Sequence, residues 1–573
     1  MPDTTMEFKY ILTKYQFAEA LNVPLGKITY LIYKYDKSKL YYEFTIPKKS
    51  GGERTIKAPC DDLKEIQKKL ADILWETHSD YCKNHNIKLN FSHAFEKEKS
   101  IITNAVKHKK KKYIVNIDLK DFFEQFHFGR VKGFFEKNRE FYCSEDVAFL
   151  IAKIACFEGT LPQGAPTSPI IANLIANNLD IKMIKIMKKY RLDYTRYADD
   201  ITFSTNDKKF MDNYTFFYND VKNTIEECGF SINEKKTRLT YQDSRQEVTG
   251  LTVNKKVNVN RTYYNNTRAM ADSLYKTGKF TIDGKEGTLN MLEGRFAFIN
   301  QIDKYNNTHG FNSKNSIYTL NMHEKQYQTF IFYKNFWANA KPLIITEGKT
   351  DVLYIKAALM KFHDEYPDLI RYKYDDISKK GTFEYKISFL KRTNKIIYFI
   401  LGSKDGADAM KNIYNLYVGK NQFPNIKEYL YQKSKTSPQN PVILIFDNEN
   451  KSSKKKPLRE FLNNANVKGF KSGYNLVENL SVVTNPLVGN KNECEIEDLF
   501  DDKTLGTVIG NKTFNRDPKA DNNKYYGKAK FAEYVYKNYK DINFDEFKPM
   551  LKDINDIVNK KNTNNKIVDD KVL

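Results

Sequence analysis

The chain has 573 residues, of which 94 are Lys or Arg and 71 are Asp or Glu, so its formal net charge is +23 at pH 7. This excess predicts a polyanionic partner such as nucleic acid, although abundant surface lysine would give the same total. With 40% hydrophobic and 14% aromatic residues the chain can form large cores, which excludes an overall disordered protein. Its length predicts roughly two to four domains.

Membrane and secreted classes are also disfavoured. No uncharged apolar run approaches the ~18 residues that a membrane-spanning helix needs. The six cysteines are scattered, without a CxxC pair or the spacing of a zinc site. Isolated thiols are typical of a reducing compartment. The sequence therefore predicts a soluble, cytoplasmic protein with no membrane partner.

Short apolar runs alternate with amphipathic stretches along the whole chain. Helical spacing is found at 221–229 and 349–362. The main domain boundary is expected near 336–342, where an aromatic and polar stretch ends at a proline. The pattern predicts a multidomain protein of mixed α+β and α/β class. Strands are predicted at 113–119, 197–204, 247–253, 342–347, 396–402 and 441–447.

Three aspartates lie at or inside apolar runs in the first third of the chain. Asp118 closes the run YIVNID, and Asp199 and Asp200 interrupt the run RYADDITFS. Carboxylates beside buried strands cost desolvation energy unless a cation or hydrogen bonds compensate. A hairpin turn would also explain two adjacent aspartates. The pair taken alone therefore leaves a turn and a metal site open.

The neighbouring motifs favour the metal site. The loop LPQGAPTSP (161–169) lies between Asp118 and the YADD segment, and GFSINEKKTR (229–238) follows that segment. In order and spacing these segments resemble the palm motifs of reverse transcriptases. The resemblance implies a right-hand polymerase with fingers, palm and thumb.

The resemblance also implies a metal mechanism. Two Mg²⁺ ions catalyse nucleotidyl transfer in such polymerases, and hard cations prefer oxygen ligands. Asp118 and Asp199 would bind the metals, with Asp200 in support. Phe123 would block a ribose 2′-OH and so select dNTPs; an ordinary core aromatic is the alternative for this residue.

Two further segments would form the nucleotide pocket of such an enzyme. Gln163 and Gly164, in the LPQG loop, would shape the pocket around the incoming nucleotide and the template. The segment IPKKSGGERTIKAP (46–59) resembles part of the fingers, in which Arg54 and, with less specificity, Lys57 would hold the triphosphate. A solvated basic hairpin is the alternative for these two cations.

Two short motifs indicate one group of reverse transcriptases. NAVKH fits the pattern NAxxH through Asn104 and His108, and Val248, Thr249 and Gly250 form a VTG motif. Both resemble hallmarks of bacterial retron reverse transcriptases, over nearly all of residues 15–335. The two motifs, and the lack of an HNH-like His/Asn cluster, argue against a group II intron enzyme; an abortive-infection reverse transcriptase is the other alternative.

The retron resemblance implies both a product and its partners. Retron enzymes copy a structured non-coding RNA into multicopy single-stranded DNA (msDNA). The primer is the 2′-OH of a guanosine, which gives a branched RNA–DNA product. The implied partners are the non-coding RNA, the msDNA and dNTPs, in a bacterial cytoplasm. Assembly of a homo-oligomer around the nucleic acid is a further expectation.

A second set of acids lies in the C-terminal half. Glu347 and Gly348 end the apolar run of LIITEGKTD, and Asp447 and Glu449 end the run of VILIFDNEN about a hundred residues later. Residues two apart in a strand project to the same side, so both acids could face Glu347. This order resembles the TOPRIM fold, a parallel α/β sheet whose acids bind Mg²⁺ at the carboxyl ends of strands.

Resemblance to TOPRIM nucleases implies a site for Mg²⁺ or Mn²⁺ with additional residues. Asp351 and Glu497 would add ligands, and Lys528 would steady the scissile phosphate. The usual Asp-x-Asp pair is here Asp447-Asn448-Glu449. An inactive domain that only binds msDNA or partners is therefore the alternative. The lack of zinc-binding cysteines argues against a primase, and the lack of a distinctively placed tyrosine argues against a topoisomerase.

The two resemblances combine into one domain prediction. Residues 1–255 would form the fingers and palm, residues 256–338 the thumb, and residues 339–573 the TOPRIM domain with a C-terminal extension. Such a fusion implies antiphage defence. In this hypothesis the msDNA restrains the nuclease until infection damages the msDNA.

Overall fold

A computed structural model describes residues 8–48, 51–87, 91–308, 319–376, 379–449, 456–517 and 519–569. Its contacts divide the chain into two units, residues 1–260 and 261–573. No helix in the described ranges has the length and apolar character that a membrane crossing requires.

The first unit contains nine helices and eight strands among its described residues. Its helices are α1 (Lys14–Ala20), α2 (Leu25–Tyr33), α3 (Lys37–Leu40), α4 (Asp61–Asn84), α5 (Ile101–Lys107), α6 (Phe128–Lys137), α7 (Glu145–Ala155), α8 (Ser168–Tyr190) and α9 (Tyr214–Glu227). Its strands are β1 (Tyr41–Pro47), β2 (Glu53–Pro59), β3 (Tyr113–Asp118), β4 (Asp193–Tyr197), β5 (Asp200–Thr205), β6 (Arg238–Tyr241), β7 (Glu247–Val248) and β8 (Leu251–Thr252).

A four-stranded antiparallel sheet is the centre of this unit. Its strand order is β4-β5-β3-β6, while β1–β2 and β7–β8 are separate hairpins. Strand β3 is buried at five of its six positions because its run of apolar residues packs on both faces. Helices α8 and α9 pack together, and α8 also contacts β4. This packing fixes the strand ends that carry the first set of aspartates.

A buried ion pair connects β4 to α8. Arg196 is fully buried, and its guanidinium donates to both carboxylate oxygens of Asp180, at 2.9 and 2.7 Å. The Tyr194 hydroxyl donates to the same carboxylate at 2.6 Å. Arg196 also donates to Asn173 Oδ1 at 3.1 Å. The charges are thus compensated inside the core.

We expect Asp180→Leu to lower the free energy of unfolding of this unit by about 3–5 kcal/mol, because it leaves the Arg196 charge buried and unpaired. Pulse proteolysis of the full chain in urea measures the change. Combining Asp180→Leu with Arg196→Met should restore most of the lost free energy of unfolding, because no buried charge is then left unpaired. Asp80→Asn, which removes an exposed ion pair with Lys83, should change stability by less than about 1 kcal/mol. Equal stability of the single and double variants would contradict the prediction.

The second unit begins with three long helices and continues as a mixed α/β segment. Its helices are α10 (Arg261–Thr277), α11 (Leu289–Thr308), α12 (Met322–Phe332), α13 (Asp351–Lys361), α14 (Asn394–Phe399), α15 (Ala407–Val418), α16 (Ile426–Ser434), α17 (Pro457–Asn464), α18 (Asp502–Leu505), α19 (Lys528–Lys537) and α20 (Lys548–Asp569). Its strands are β9 (Thr281–Ile282), β10 (Lys285–Glu286), β11 (Leu343–Thr346), β12 (Ile370–Asp375), β13 (Lys380–Tyr385), β14 (Ser388–Phe389), β15 (Val442–Phe446), β16 (Tyr474–Val477), β17 (Leu480–Thr484), β18 (Thr513–Phe514) and β19 (Tyr525–Tyr526).

A five-stranded sheet with the order β14-β11-β15-β17-β16 organises the second unit. The first four strands in this order are parallel, and β16 pairs antiparallel with β17. Strands β11 and β15 are buried at every position. Continuous apolar runs of this kind are typical of parallel strands covered on both faces.

Helices α10, α11 and α12 share a hydrophobic core with this sheet. Phe296 and Phe330, on α11 and α12, belong to the same buried cluster as Leu444 of β15. Polar contacts add to the packing: Gln328 Nε2 donates to the Phe399 carbonyl at 2.8 Å. The predicted boundary at 338/339 stays a prediction, but the segments on its two sides pack together.

One predicted strand is wrong. The run IIYFILG (396–402) falls mostly in helix α14, which begins at Asn394 and ends at Phe399. A short apolar run is compatible with either a buried strand or a buried helix turn. Here Ile396 and Phe399 pack into the core from one helix face. The predicted strands at 197–204 and 247–253 are each divided by a hairpin turn.

Candidate functional site

The three N-terminal aspartates meet at one end of the four-stranded sheet β4-β5-β3-β6. Asp118, the last residue of β3, lies directly opposite Asp200, the first residue of β5. The Leu119 N–H donates to the Asp199 carbonyl at 2.9 Å. Ala198 has a left-handed φ of 56°, which closes the hairpin tightly between β4 and β5. The YADD segment is thus both a turn and part of the carboxylate cluster.

Two residues that the sequence analysis did not single out hold Asp118. Its carboxylate accepts hydrogen bonds from Lys236 Nζ at 3.0 Å and from Asn233 Nδ2 at 3.1 Å. The Asn233 N–H also donates to the Asp118 carbonyl at 2.8 Å. Both residues lie in the segment GFSINEKKTR, so its Asn and Lys could have been named from their place after YADD. The Lys236 ammonium supplies positive charge to the cluster.

Burial and neighbouring negative charge disfavour the charged forms of Asp199 and Asp200. Burial raises the pKa of Asp199, and the negative charge of Asp118 adds to the shift. Loss of solvent contact and the charges of Asp199 and Asp118 raise the pKa of Asp200 to about 6. Lys236 opposes both shifts. Clustered carboxylates with raised pKa values are what a bound cation would stabilise.

The LPQG loop lies against the β1–β2 hairpin. The Lys57 N–H donates to the Gln163 carbonyl at 2.7 Å. Gly164 has a φ of 123°, and a Cβ placed on it would lie 2.8 Å from the Lys57 carbonyl oxygen. Both features require glycine at this position. The structure therefore brings Gln163 and Gly164 next to the hairpin that carries Arg54.

Because the sequence predicts a dNTP pocket at this loop, we expect Gly164→Ala to raise the KM for dNTPs and lower DNA synthesis at least about tenfold, since the loop must move from the Lys57 backbone. Steady-state kinetics on an RNA template measures both quantities. Gly133→Ala is the matched control, since no atom beyond its chain neighbours and the backbone of its own helix would lie within 4 Å of the added Cβ. A Gly164→Ala enzyme with an unchanged KM would contradict the assignment.

The remaining pocket residues differ in their surroundings. Arg54 is exposed on β2, and its positive charge acts on Asp199. Lys57 forms ion pairs with Glu43 and Glu158, so its charge is already compensated. Phe123 is half-buried and contacts the rings of nearby phenylalanines, whereas its neighbour Phe122 is buried. An exposed Arg54 and a half-buried Phe123 are suited to contact a ligand.

His108 of the NAxxH motif contacts both strands of the hairpin that carries Asp199 and Asp200. His108 is buried and forms hydrogen bonds with Ser204 Oγ and Thr195 Oγ1, both at 2.7 Å. These partners lie on β5 and β4, the strands joined by the YADD turn. Burial lowers the pKa of His108 to about 3, so the imidazole is neutral. Asn104 is also buried, and its amide has no hydrogen-bond partner in the described part of the chain.

The VTG motif forms the turn between β7 and β8. Val248 is buried, while Thr249 and Gly250 have left-handed φ angles of 47° and 78°. Thr249 Oγ1 donates to the Ile101 carbonyl at 3.3 Å, at the start of α5. The two motifs thus pack against each other, and together they support the hairpin of β4 and β5.

A second carboxylate cluster lies at the carboxyl ends of β11 and β15. The Asp447 N–H donates to Glu347 Oε1 at 3.0 Å. Asp447 Oδ1 accepts from Asn485 Nδ2 at 2.7 Å and from the Ile496 N–H at 3.0 Å. Asn485 directly follows β17, the next strand in the sheet, and was not predicted; its place after the apolar run LSVVT is the signal that could have found it.

The other predicted residues surround this pair. The Gly348 N–H donates to Asp351 Oδ2 at 2.7 Å. Glu497 is buried and accepts from Lys528 Nζ at 3.1 Å. Glu449 is buried and accepts from Lys456 Nζ at 2.9 Å, a lysine that the sequence analysis did not name.

Burial and mutual repulsion also govern this second cluster. Burial, together with the charges of Glu449 and Asp351, raises the pKa of Glu347 to about 8. Burial raises the pKa of Asp447, and the charge of Glu347 adds to the shift. Burial has the same effect on the pKa values of Asp351 and Glu497. The cluster thus has the oxygen donors that a divalent cation needs, and a bound cation would favour their charged form.

Neither cluster has a preformed metal geometry. Within the described ranges, no group of three or more His, Cys, Asp or Glu side chains is placed to bind a metal ion as it stands. Lys236 and Lys456 each contact one carboxylate of the respective clusters. Metal binding would therefore require these ammonium groups and carboxylates to rearrange.

Comparison with known proteins identifies relatives of the first half. A model of the family "Reverse transcriptase (RNA-dependent DNA polymerase)" matches residues 46–254. The chain is 33% identical over 297 residues to Retron Ec86 reverse transcriptase of Escherichia coli, covering 50% of this chain and 84% of that protein. It is 35% identical over 285 residues to Retron Ec73 reverse transcriptase of Escherichia coli, covering 46% and 83%.

Two further similarities cover a smaller share of the matched protein. Retron Mx162 reverse transcriptase of Myxococcus xanthus is 32% identical over 316 residues, and the match covers 50% of this chain and 63% of that protein. The chain thus spans less than two thirds of this relative's length. Among solved structures, telomerase from Candida albicans has a TM-score of 0.31 at 12% identity, over 51% of this chain and 59% of that chain. This score supports no argument about the fold.

Proposed function

Because this chain belongs to the retron reverse transcriptase family, we propose that its palm carboxylates catalyse RNA-directed DNA synthesis. The observation that carries the proposal is the strand register that places Asp118 opposite Asp200, with Asp199 in the turn between β4 and β5. Asp118 and Asp199 would bind two Mg²⁺ ions, with Asp200 in support. When bound, such ions stabilise the attacking and leaving oxygens of nucleotidyl transfer.

The chain's own residues would position the nucleotide. Arg54, exposed on β2, would hold the triphosphate by charge. Phe123 would exclude a ribose 2′-OH, and Gln163 and Gly164 would shape the pocket. Lys236 would leave Asp118 when metal binds, because one carboxylate oxygen cannot serve both partners fully.

We propose that the product is branched msDNA, primed by the 2′-OH of a guanosine in a non-coding RNA. The retron relatives and the packing of NAxxH against VTG support this proposal. The test is to isolate nucleic acid that copurifies with the protein and to treat it with RNase and debranching enzyme. DNA that shortens only after debranching is expected; linear DNA that is unchanged by debranching would contradict 2′ priming.

We propose further that the C-terminal half is a TOPRIM-type metal-dependent nuclease for antiphage defence. The parallel strands and the acids at their carboxyl ends support it. Glu347, Asp447 and Glu449 would bind Mg²⁺ or Mn²⁺, and Lys528 would steady the phosphate. When bound, the cation would polarise the scissile phosphate.

A second candidate function for this half is an inactive scaffold that binds msDNA or partners. The contact of Lys456 with Glu449 favours it, because the ammonium occupies a carboxylate that a metal would need. The substitution of Asp447 described in the Discussion separates the two candidates.

We propose that msDNA held by the predicted thumb restrains the nuclease. Glu293 on α11 forms ion pairs with Lys395 of α14 and with Lys334. Arg392, shortly before Lys395, donates to the Thr346 carbonyl next to Glu347. The thumb is therefore connected to the carboxylate cluster by a short series of contacts.

The Glu293 contact provides a test of this restraint. We expect Glu293→Gln to lower colony counts at least about tenfold without phage, because the thumb would no longer hold α14. Glu384→Gln, which removes an exposed ion pair with Lys373, is the matched control and should leave growth unchanged. Equal growth of the Glu293→Gln and wild-type strains, at equal msDNA yield, would contradict this route of restraint.

A further inference from the structure

A cavity of about 360 Å³ lies beside the second carboxylate cluster, which contains Glu347 and Asp447. Asn448 and Asn485 both line it. Asn485 Nδ2 donates to Asp447 Oδ1 at 2.7 Å, and Asn448 Nδ2 donates to the Asn485 carbonyl at 2.8 Å. The cavity is therefore separated from the Asp447 carboxylate by a single side chain.

The cavity walls combine apolar surface with a few polar groups. Phe470 and Leu487 provide aromatic and aliphatic surface, and Ser472, Asn485 and Asp553 provide polar atoms. Small sites with this composition bind flat, mostly apolar ligands that have a polar edge. A nucleobase has this shape and chemistry, and it stacks on aromatic rings whatever its sequence.

Asn485 contributes an unsatisfied hydrogen-bond acceptor. Its side chain is 1% exposed, and its Oδ1 has no hydrogen-bond partner among the described residues. The amide nitrogen of the same side chain, Nδ2, already donates to Asp447 Oδ1. A buried carbonyl oxygen without a partner is unfavourable. An N–H group on the edge of a bound base would satisfy it once the Asn485 side chain turned its Oδ1 toward the cavity.

We propose that this cavity binds an unpaired nucleobase. The base would lie next to the phosphate that is cleaved at the cluster of Glu347 and Asp447. The proposal rests on the proposed nuclease function and names its substrate as single-stranded nucleic acid. A base in a duplex could enter only after it is unpaired and unstacked, which costs free energy. The exposed Lys471, which also lines the cavity, would attract the phosphate backbone.

Photo-crosslinking of the purified full-length chain tests the proposal. The probes are oligonucleotides that carry 4-thiothymidine or 4-thiouridine, used in EDTA so that no cleavage occurs. Cross-linked peptides are mapped by mass spectrometry. We expect single strands to cross-link to peptides that contain 470–472 or 485–487. The same strands paired in a duplex should cross-link there at least about tenfold less.

Two variants probe the cavity by different means. Ser472→Trp fills it, and Phe470→Leu removes the aromatic surface; each should lower cross-linking at these peptides about tenfold. Tyr431→Leu is the matched control, since Tyr431 is an exposed aromatic that does not line the cavity. Cross-links at other peptides only, or equal cross-linking of single strands and duplexes, would overturn the proposal.

Cleavage assays with Mg²⁺ or Mn²⁺ distinguish failure of the cavity from failure of the nuclease. Cross-linking at the cavity without any metal-dependent cleavage would support the cavity and overturn the nuclease. Cleavage that requires Asp447 but is unaffected by Phe470→Leu and Ser472→Trp would support the nuclease and overturn the cavity.

Discussion

Replacing Asp199 by Asn is expected to reduce DNA synthesis by about a thousandfold or more. The substitution removes a proposed metal ligand, whose charge would contribute several kcal/mol to transition-state stabilisation. The fold should not suffer, because burial raises the pKa of Asp199 and its charged form is unfavourable in the metal-free protein. Primer extension on an RNA template with Mg²⁺ measures the rate, and thermal unfolding in EDTA measures stability.

Asp212→Asn is the matched control, since Asp212 is exposed near the start of α9. It should leave both the rate and the melting temperature unchanged. An Asp199→Asn protein that keeps more than about a tenth of the wild-type rate would contradict the polymerase site. A rate loss accompanied by unfolding would contradict the expectation that the fold is unaffected.

The raised pKa of Asp200 has a consequence for the metal-free protein. Its value rises from 3.8 to about 6 in the folded state, so the folded protein binds more protons than the unfolded chain between these values. Stability contributed by this group is therefore present at low pH and lost as the pH rises through about 6. Asp200→Asn should remove this part of the pH dependence, as thermal unfolding between pH 4 and 7 in EDTA would show.

The second large effect is expected for Asp447→Asn. This change should abolish metal-dependent cleavage and phage protection while msDNA synthesis continues, because Asp447 joins the acids of β11 and β15. Its Oδ1 is already held by Asn485 and Ile496, so Asn at this position keeps the shape but not the charge. Plaque counts, cleavage of labelled nucleic acid and msDNA yield are the three measurements.

Asp541→Asn, a change at an exposed aspartate of the same unit, is the control for Asp447. If Asp447→Asn and Glu347→Gln both protect as well as the wild type while Asp199→Asn does not, the nuclease proposal fails and the scaffold remains. Loss of msDNA in the Asp447→Asn strain would instead show that the two halves cannot be separated by this substitution.

Much of the predicted catalytic site followed from the order of the sequence motifs. Asp118, the LPQG loop, YADD and the segment after it could be recognised without coordinates, because they are local strings around strand ends. The family comparison supports the reverse transcriptase and the retron group. The sequence left a turn and a metal site as alternatives for Asp199 and Asp200. The two alternatives are compatible, since the hairpin turn itself carries the carboxylates.

The contacts that these acids make with their partners could not be predicted from local patterns. Lys236 and Asn485 contact carboxylates that lie far away in sequence, and Lys456 contacts one that lies seven residues away. Such contacts depend on strand register and on which strand ends are neighbours, which a single segment does not encode. The C-terminal cavity was missed for the same reason.

By itself, the amino-acid sequence determined which residues carry charge, where apolar runs place strand ends, and which motifs follow one another. Only the tertiary structure decided that the run at 396–402 contributes a helix and that α10–α12 share a core with the C-terminal sheet. The physical reason is that a short apolar run lowers its free energy equally well in either conformation. The surrounding core, formed by distant segments, selects between them.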